Sequence, residues 1–524
     1  MAESTATNGA QALIRTLVSC GVDTCFTNPG TSEMHFVAAL DAVPEMRAVL
    51  ALFEGVATGA ADGYARMAGR PAATLLHLGP GLGNGLANLH NARKGRTPIV
   101  NIVGDHATYH KQYDAQLESD IETVARNVSS WVRWSQRPAD VGRDAAEAVA
   151  VAAGPPGQVA TLVLPADVSW SPGGLTAEPI PPRPATPVDG DVVDAVAKAL
   201  RSGEPAGLLL GGGALREDAL VAASRVANAT GARLLAETFP SRTERGAGRP
   251  SVDRLAYLAE FASGQLAGLR HLVVVDAKAP VSFFAYPGKP SYLVPDGCEV
   301  HVLADGGGNA AAALAAVADT VGAPADGATL QPAARPDLPT GELTPAAVAQ
   351  AVGALLPEGA IVSDEGNTSG LFAPGFTAGA PPHDWLCLTG GAIGQGLPVA
   401  TGAAVACPDR RVVSLQADGS ALYTIQSLWT QAREGLDVVT IIYNNRSYAV
   451  LNMELDRVGA EAGGPKAKDL LDLSRPDMDF VALSQGLGVP AARATTADEM
   501  GDQLARALAE PGPSLIEAVV PPIT

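Results

Sequence analysis

The segment 417–448 contains the residues of this sequence best suited to chemistry. Asp418 follows the apolar run RRVVSLQA, and Asn445 ends a second apolar run, DVVTIIYNN. We predict two parallel strands joined by a helix of about four turns, so that both ends lie where ligands bind such sheets. Mg²⁺ prefers oxygen ligands shared with phosphate, which indicates a metal and diphosphate site. Two unrelated turns are the alternative interpretation.

Glu54 is the second candidate, because it lies in the apolar run ALFEGVA. Burying a lone ionised carboxylate costs free energy, so a Glu kept in such a run is expected to have a hydrogen-bonding task. A helix cap or a surface carboxylate is the alternative interpretation.

The segment from Asp418 to Asn445 resembles the cofactor-binding motif of the thiamine-diphosphate enzyme family, which runs from GDG to NN over similar spacing. Ala417 stands in place of the first glycine. By this resemblance Asp418, Asn445 and the backbone carbonyl of Ser447 would hold Mg²⁺. The residues that the resemblance places along the diphosphate are Gly419, Ser420, Tyr448, Asn367 and Thr368.

Other segments carry the same resemblance in the same order. TNPGTSE and ALFEGVATGAADGYAR resemble the pyrimidine-binding domain, where Glu54 would be the acidic residue that activates the cofactor to an ylid. LTGGAIGQGLPVATGAA resembles the segment that cradles the cofactor's middle, with Gly391 offering its carbonyl and Ile393 wedged beneath. The N-terminal loop would add cofactor contacts from Asn28, Pro29 and Gly30.

Within the family the sequence resembles benzoylformate decarboxylases and acetolactate synthase large subunits. For the first relative, Thr31 lies where a substrate-contacting serine is expected, and His77 in LLHLGPGLGNG lies at an active-site histidine. A histidine can relay protons near neutral pH. His106 in GDHATYH is a further candidate, although a solvated loop histidine is the alternative there. The predicted catalytic residues are Glu54, His77, His106 and Thr31.

Two departures weaken the match to benzoylformate decarboxylases. Their second active-site histidine has no counterpart in AKAPVSFFAYPGKP, which offers Phe283 and Phe284 instead. Glu454 puts a charged side chain where an aromatic substrate would be expected to contact apolar side chains. The sequence also differs from acetolactate synthases, because Gln116 and Leu117 replace a Phe and a Gln of their segment. We find no clear flavin-binding signature.

The resemblance implies an enzyme, a lyase or transferase that uses thiamine diphosphate and Mg²⁺. We predict non-oxidative decarboxylation of a small 2-oxo acid through ylid and enamine intermediates. An acetolactate-synthase-like carboligase is the first alternative. A catalytically silent cofactor-binding or regulatory paralogue and a flavin-dependent oxidase are others, and FAD is possible but not favoured. The sequence leaves open the substrate side chain and whether carboligation is the outcome.

Composition excludes several classes of partner. The 524 residues are 47% apolar and 17% charged, with a net charge of −19. That charge argues against nucleic acid and anionic membranes, which attract basic patches. The sequence has no run of about 18 apolar residues, no signal peptide pattern and no CxxC among its cysteines. We therefore expect a cytoplasmic protein that does not span a membrane.

Alternating apolar runs and helical patterns predict an α/β fold of parallel sheets. Pro- and Gly-rich stretches near 171–190 and 322–342 divide the chain into 1–172, 190–320 and 343–524. The resemblance names these doubly wound domains pyrimidine-binding, middle and diphosphate-binding. It also implies a homodimer or homotetramer with active sites between subunits. We interpret the glycines at 211–213 as a strand-to-helix turn, because a third fingerprint glycine is absent.

Overall fold

The computed structural model describes residues 7–460 and 463–522. Its first sheet has the strand order β2-β1-β3-β4-β6-β5, and every neighbouring pair is parallel. The strands are β1 Thr24–Asn28, β2 Arg47–Leu50, β3 Ala72–Leu76, β4 Ile99–Asp105, β5 Trp131–Trp134 and β6 Val159–Pro165. β3, β4 and β6 are buried along their whole length, as expected for parallel strands covered on both faces.

The second sheet is also parallel, with the order β10-β8-β7-β11-β12. The strands of this part of the chain are β7 Ala206–Leu210, β8 Arg233–Ala236, β9 Thr243–Arg245, β10 Asp253–Arg254, β11 His271–Val275 and β12 Glu299–Ala304. The glycines at 211–213 form the predicted turn, a short 3₁₀ helix that precedes the next α-helix.

The third sheet has the order β17-β18-β16-β15-β13-β14-β9. Its remaining strands are β13 Ile361–Glu365, β14 His383–Cys387, β15 Val412–Ala417, β16 Val438–Asn444, β17 Ala491–Ala494 and β18 Ser514–Val519. All neighbours are parallel except β9, which pairs antiparallel with β14 although it lies in the middle segment of the sequence. The three sheets confirm the predicted class of parallel-sheet α/β domains.

Helices cover the sheets and connect consecutive parallel strands. In the first part of the chain they are α1 Gly9–Ser19, α2 Met34–Leu40, α3 Glu54–Ala68, α4 Leu78–Gly95, α5 Ile121–Arg126, α6 Val141–Ala153 and α7 Ala166–Trp170. In the middle part they are α8 Gly190–Leu200, α9 Glu217–Thr230, α10 Ala259–Leu266 and α11 Ala310–Thr320. In the last part they are α12 Pro345–Leu355, α13 Ala373–Phe376, α14 Gly396–Ala406, α15 Asp418–Ala421, α16 Ser427–Glu434, α17 Ala449–Arg457, α18 Pro465–Leu470, α19 Phe480–Gly486 and α20 Ala497–Ala509.

Helices α3 and α14 join the first and third sheets through a contact between their backbones. A Cβ on Gly63 would lie 2.1 Å from the carbonyl oxygen of Val399, and one on Gly402 would lie 1.8 Å from that of Ala60. Only glycine allows such an approach. Apolar side chains from both helices and both sheets then form one core, which includes Val56 and Val412. This contact fixes the two sheets relative to each other.

The prediction of one four-turn helix between Asp418 and Asn445 is wrong. The structure has the single turn of α15 and the two-turn helix α16, separated by a break. In that break the hydroxyl of Thr424 donates to the carbonyl of Gly394 at 3.0 Å. Tertiary contact thus overrides helix propensity here. In the part of the chain that the structure describes, no helix has the length and apolar character needed to cross a membrane.

Candidate active site

Asp418 lies at the carboxyl end of β15 and is only 2% exposed. Oδ1 accepts the backbone N–H of Gly419 at 2.7 Å, and Oδ2 accepts that of Arg446 at 2.6 Å. Burial raises the pKa of Asp418, while these N–H donors lower it. A neighbouring cation favours the ionised form of a buried carboxylate. The position therefore suits a metal ligand.

Asn445 follows β16, the strand beside β15. Its Nδ2 donates to Oγ of Ser369 at 3.2 Å, and its Oδ1 accepts the N–H of Ser447 at 2.9 Å. The bond from Arg446 to Asp418 draws this loop onto the carboxylate. The predicted metal ligands Asp418, Asn445 and Ser447 thus lie in one connected group of hydrogen bonds.

Residues predicted to line a diphosphate surround the same sheet edge. A Cβ on Gly419 would lie 2.5 Å from Cε1 of Tyr448, so the aromatic ring packs directly on this glycine. Ser420 is buried, and its hydroxyl donates to the carbonyl of Ala417 at 3.1 Å. Asn367 and Thr368 follow β13, the other neighbour of β15, and the backbone of Asn367 has a φ of 47°.

The loop 388–396 carries Gly391 and Ile393 between β14 and α14. Gly391 has a φ of 77°, a conformation that favours glycine. The carbonyls of Gly390 and Ala392 accept hydrogen bonds from His90 and from Asn91 on α4, at 3.1 and 2.8 Å. The carbonyl of Gly391 accepts none from residues 7–460 and 463–522. The loop thus presents one free carbonyl between two occupied ones.

Glu365, at the end of β13, fixes this loop from below. Its carboxylate accepts the N–H of Gly394 at 2.7 Å and that of Gly396 at 2.6 Å, and the Nε2 of Gln416 donates to it at 2.6 Å. Burial raises the pKa of Glu365 to about 7, although all these donors oppose the shift. Because the carboxyl group holds two backbone amides of the loop, it sets the shape of the segment that presents Gly391.

The raised pKa of Glu365 predicts a pH-dependent stability. The pKa rises from 4.5 in the unfolded chain to about 7 when folded. The stabilisation that Glu365 contributes is therefore complete below pH 4.5 and is lost as the pH rises to 7. This loss lowers the free energy of unfolding by about 3 kcal/mol. Denaturant unfolding of the wild type and of Glu365→Gln between pH 4.5 and 8 measures this slope. We expect Glu365→Gln to lack this pH dependence and the control Glu342→Gln, at an exposed site, to retain it. Equal slopes for the wild type and Glu365→Gln would contradict a raised pKa at Glu365.

Glu54 is the first residue of α3 and is 6% exposed. Its Oε2 accepts a hydrogen bond from Nδ2 of Asn84 at 3.0 Å. A Cβ on Gly81 would lie 3.1 Å from Oε1, so the glycines of α4 make room for this carboxyl group. Asn88 joins the two sheets nearby, because its Nδ2 donates to the carbonyls of Gly55 at 2.8 Å and Gly394 at 3.2 Å.

His77 follows β3 and is held by a buried acid. Its Nδ1 lies 2.8 Å from Oε2 of Glu33, which is 2% exposed and also accepts the N–H of Gly30 at 2.8 Å. Burial raises the pKa of Glu33, and His77 opposes this shift. A Cβ on Gly30 would lie 2.2 Å from Nδ1, so the ring packs on the loop after β1. The pairing leaves Nε2 of His77 for another partner.

The remaining predicted residues of the first sheet lie along the same edge. Asn28 ends β1, Pro29 is half-buried, and Thr31 is exposed at the start of a 3₁₀ helix. His106 follows β4, and its ring lies 5.3 Å from that of His110. Its buried Nε2 has no hydrogen-bond partner among the described residues. With Glu54 after β2, the edge is lined by one group from each of four neighbouring strands.

Sequence reasoning missed Glu33, Asn84 and Glu365. Each acts by holding another segment: Glu33 holds His77, Asn84 bonds Glu54, and Glu365 fixes the loop 388–396. Glu33 stands inside the quoted motif TNPGTSE, and Glu365 shortly precedes the predicted residues Asn367 and Thr368 in the segment DEGNTSG. An acid within a glycine-rich turn was therefore the available signal. The only sequence signal for Asn84 was its position in a glycine-rich run.

The edge of the third sheet carries oxygen donors at Asp418 and Asn445, and the edge of the first sheet carries the carboxyl group of Glu54. The third sheet offers a buried carboxylate and a side-chain amide, which suit Mg²⁺. The family model of the N-terminal thiamine pyrophosphate binding domain matches residues 7–125, and that of the C-terminal binding domain matches residues 364–518. The chain belongs to the thiamine pyrophosphate enzyme family. It is a thiamine-diphosphate-dependent enzyme with its binding domains at the two ends of the chain.

Relatives within the thiamine pyrophosphate enzyme family cover nearly the full chain. IlvX of Mycobacterium tuberculosis, provisionally named an acetolactate synthase large subunit, is 65% identical over 98% of this chain and 99% of its own. Benzoylformate decarboxylase of Pseudomonas aeruginosa is 32% identical over 95% of this chain and 96% of its own. The solved 4-hydroxybenzoylformate decarboxylase of Rhodococcus jostii RHA1 has a TM-score of 0.85 at 27% identity, covering 98% of this chain and 99% of its own.

Proposed function

We propose that this enzyme decarboxylates a small 2-oxo acid without oxidation, using thiamine diphosphate and Mg²⁺. The observation that carries the proposal is the imidazole of His77, fixed through Nδ1 by buried Glu33 on the sheet edge that also bears Glu54. A fixed imidazole can bind a substrate carboxylate and move a proton near neutral pH. The relationship to benzoylformate decarboxylase supports this reaction class.

The residues around Asp418 would hold the cofactor's charged end. Asp418 and Asn445 supply side-chain oxygens, and Ser447 supplies its backbone carbonyl, which gives Mg²⁺ the oxygen ligands it prefers. Asn367, Thr368 and the backbone at Gly419 and Ser420 would lie along the diphosphate. The carbonyl of Gly391 would accept a hydrogen bond from an exocyclic amine, and Ile393 would lie beneath the cofactor.

When bound, thiamine diphosphate supplies a nucleophilic carbon and accepts the electron pair left when carbon dioxide departs. The protein's own groups orient and protonate. Glu54 exchanges a proton through its carboxyl oxygens with a ring nitrogen of the pyrimidine. Nε2 of His77 exchanges a proton with the substrate while Nδ1 stays paired with Glu33. Thr31 and His106 lie on the same edge to contact the substrate.

Aromatic side chains near Gly391 favour a substrate whose own side chain is apolar or aromatic. A Cβ on Gly391 would lie 2.4 Å from Cζ of Phe283, so this ring borders the proposed cofactor site. Phe283 packs edge-to-face on Phe284 and on Phe239, and its ring lies 5.3 Å from that of Tyr257. The hydroxyl of Tyr257 donates to Glu454 at 3.1 Å, which places one carboxylate beyond this aromatic wall.

An acetolactate-synthase-like carboligase without flavin is the second candidate, favoured by the 65% identity to IlvX. Two carboxylates argue against a flavin diphosphate at the carboxyl edge of the second sheet. Asp276 accepts the N–H of Gly213 at 2.6 Å, Glu237 accepts that of Gly212 at 3.3 Å, and Arg96 pairs with Asp276. The turn amides that would bind phosphate oxygens therefore already bind acids.

Product analysis tests the reaction. Purified enzyme with Mg²⁺ and thiamine diphosphate is incubated with a panel of aromatic and aliphatic 2-oxo acids, with and without an acceptor aldehyde, and the products are identified by mass spectrometry. We expect an aldehyde and carbon dioxide, with an aromatic or branched acid preferred. A 2-hydroxy ketone or acetohydroxy acid as the main product would replace the proposal with the carboligase, and a yellow chromophore on the purified protein would contradict the absence of flavin.

A further inference from the structure

A group of histidines and acids lies at the opposite end of the middle sheet from the turn at 211–213. His271 is the first residue of β11, and Glu299 is the first residue of the neighbouring strand β12. His301 follows on β12, and Glu204 lies in the loop before β7. We call these four residues the histidine cluster. The proposed catalytic groups lie on other sheets, so the cluster has no part in the reaction described above.

The ring nitrogens of the histidine cluster converge with one carboxylate oxygen. Nδ1 of His271 lies 3.1 Å from Nε2 of His301, and Oε2 of Glu299 lies 3.8 Å from each of these nitrogens. Ligands about 2.05 Å from a tetrahedral zinc ion are roughly 3.3 Å apart. The observed separations lie on both sides of this value, so small side-chain rotations would bring all three atoms into a zinc coordination sphere.

Glu204 fixes the orientation of His271. The Nε2 of His271 lies 3.1 Å from Oε2 of Glu204. If Nε2 carries the proton and donates to this acid, the lone pair of Nδ1 is directed at His301 and Glu299. Metal-bound histidines characteristically bind a carboxylate through their second ring nitrogen in this way. The pairing therefore prepares His271 to bind a cation rather than merely to sit near other polar groups.

Two largely buried imidazoles and two nearby carboxylates suit a bound cation. The side chains of His271 and His301 are 12% and 15% exposed, whereas Glu299 is 69% exposed. Arg270 is the cation beside the cluster, 3.9 Å from Glu204 and 53% exposed, so solvent screens it. Two acids thus balance the charge of a divalent ion.

We propose that His271, His301 and Glu299 bind a divalent transition-metal ion of the zinc class, with Glu204 as the positioning residue. Two imidazoles and one carboxylate are a ligand set that Zn²⁺ accepts and that Mg²⁺ does not prefer. The fourth position is left to water. Because the ion would tie together the starts of β11 and β12, its role is to stabilise the middle sheet. The proposal does not depend on the reaction that the enzyme catalyses.

Titration of Zn²⁺ into chelator-treated enzyme tests the site. The enzyme is first saturated with Mg²⁺ and thiamine diphosphate, so that the site at Asp418 is filled, and binding is followed by calorimetry and metal analysis. We expect one saturable zinc ion per chain. His301→Ala should weaken binding at least 100-fold, Glu204→Gln should weaken it about 10- to 100-fold, and the exposed control His35→Ala should leave it unchanged.

Thermal unfolding gives a second measurement that does not depend on one variant. Zn²⁺ should raise the melting temperature of the wild type and of His35→Ala but not of Glu299→Gln, whose exposed position tolerates the change. Absence of saturable binding by the wild type, or an affinity equal to that of the wild type in both His301→Ala and Glu299→Gln, would overturn the site. Either result would assign the contact between His271 and His301 to an ordinary hydrogen bond.

Discussion

Glu54→Gln should lower kcat about 10²- to 10⁴-fold, the usual contribution of a positioned acid or base. Gln keeps the volume of Glu and can still accept the hydrogen bond from Asn84, but it cannot exchange the proton. The substitution therefore removes chemistry while the packing of α3 remains. Steady-state rates with the preferred 2-oxo acid measure the loss, and calorimetry measures thiamine diphosphate affinity.

Two controls make this result specific. Glu45→Gln is the same substitution at an exposed position and should leave kcat unchanged. Glu54→Gln should unfold at the same temperature as the wild type, because its hydrogen bond and packing persist. A Glu54→Gln enzyme with wild-type kcat would refute the role of this carboxyl group and, with it, the proposed course of the reaction.

Asp418→Ala should lose Mg²⁺ and thiamine diphosphate together, with cofactor affinity at saturating Mg²⁺ reduced more than 100-fold. Even residues that only orient a metal ligand cost about 10- to 100-fold when removed, and a direct ligand costs more. The change also frees the N–H of Arg446, which holds the 445–447 loop at the sheet edge. Fluorescence titration with the cofactor at several Mg²⁺ concentrations measures both effects.

The matched control is Asp409→Ala, at an exposed position just before β15, which should bind the cofactor normally. Unchanged Mg²⁺-dependent affinity in Asp418→Ala would exclude it as a metal ligand. Asp418→Asn distinguishes charge from geometry, because it keeps one oxygen and the side-chain volume. We expect it to retain the fold and to bind the cofactor with an affinity between those of the wild type and Asp418→Ala.

The two variants together test the expectation, implied by the family resemblance, that each active site is shared between two subunits. If Glu54 and Asp418 of one site come from different subunits, co-expression of Glu54→Gln with Asp418→Ala restores one complete site in each mixed dimer. If subunits pair at random, about half of the dimers are mixed, and one of the two sites in each mixed dimer is complete. The mixture should then have about one quarter of the wild-type activity. Complete inactivity of the mixture would instead place both residues of each site in one chain.

Strand ends could be predicted from the sequence because their signals are local. The runs before Asp418 and Asn445 are apolar, and parallel pairing of β15 with β16 brings their ends together as expected. The alternating apolar runs and helical patterns, divided by the Pro- and Gly-rich stretches, likewise predicted the three sheets. These parts follow from periodicity within about ten residues, which neighbouring segments do not alter.

Features that depend on contacts between distant segments could not be predicted. The break before α16 depends on Thr424 meeting Gly394, and the task of Glu365 depends on a loop about 30 residues later. The histidine cluster is another case, since His271 and Glu299 are neighbours only because β11 and β12 pair. The spacing of residues along the sequence does not indicate which distant segments come into contact.

The antiparallel pairing of β9 with β14 limits how far this chain is modular. The last part of the chain, cut at residue 343, would lack β9 and expose the hydrogen-bonding edge of β14, which can pair with other chains. The buried ion pair of Arg242 with Asp384 would be lost with it. We therefore expect the middle and last parts to unfold as one cooperative unit, and a replacement of the middle part by that of another enzyme must supply an equivalent edge strand.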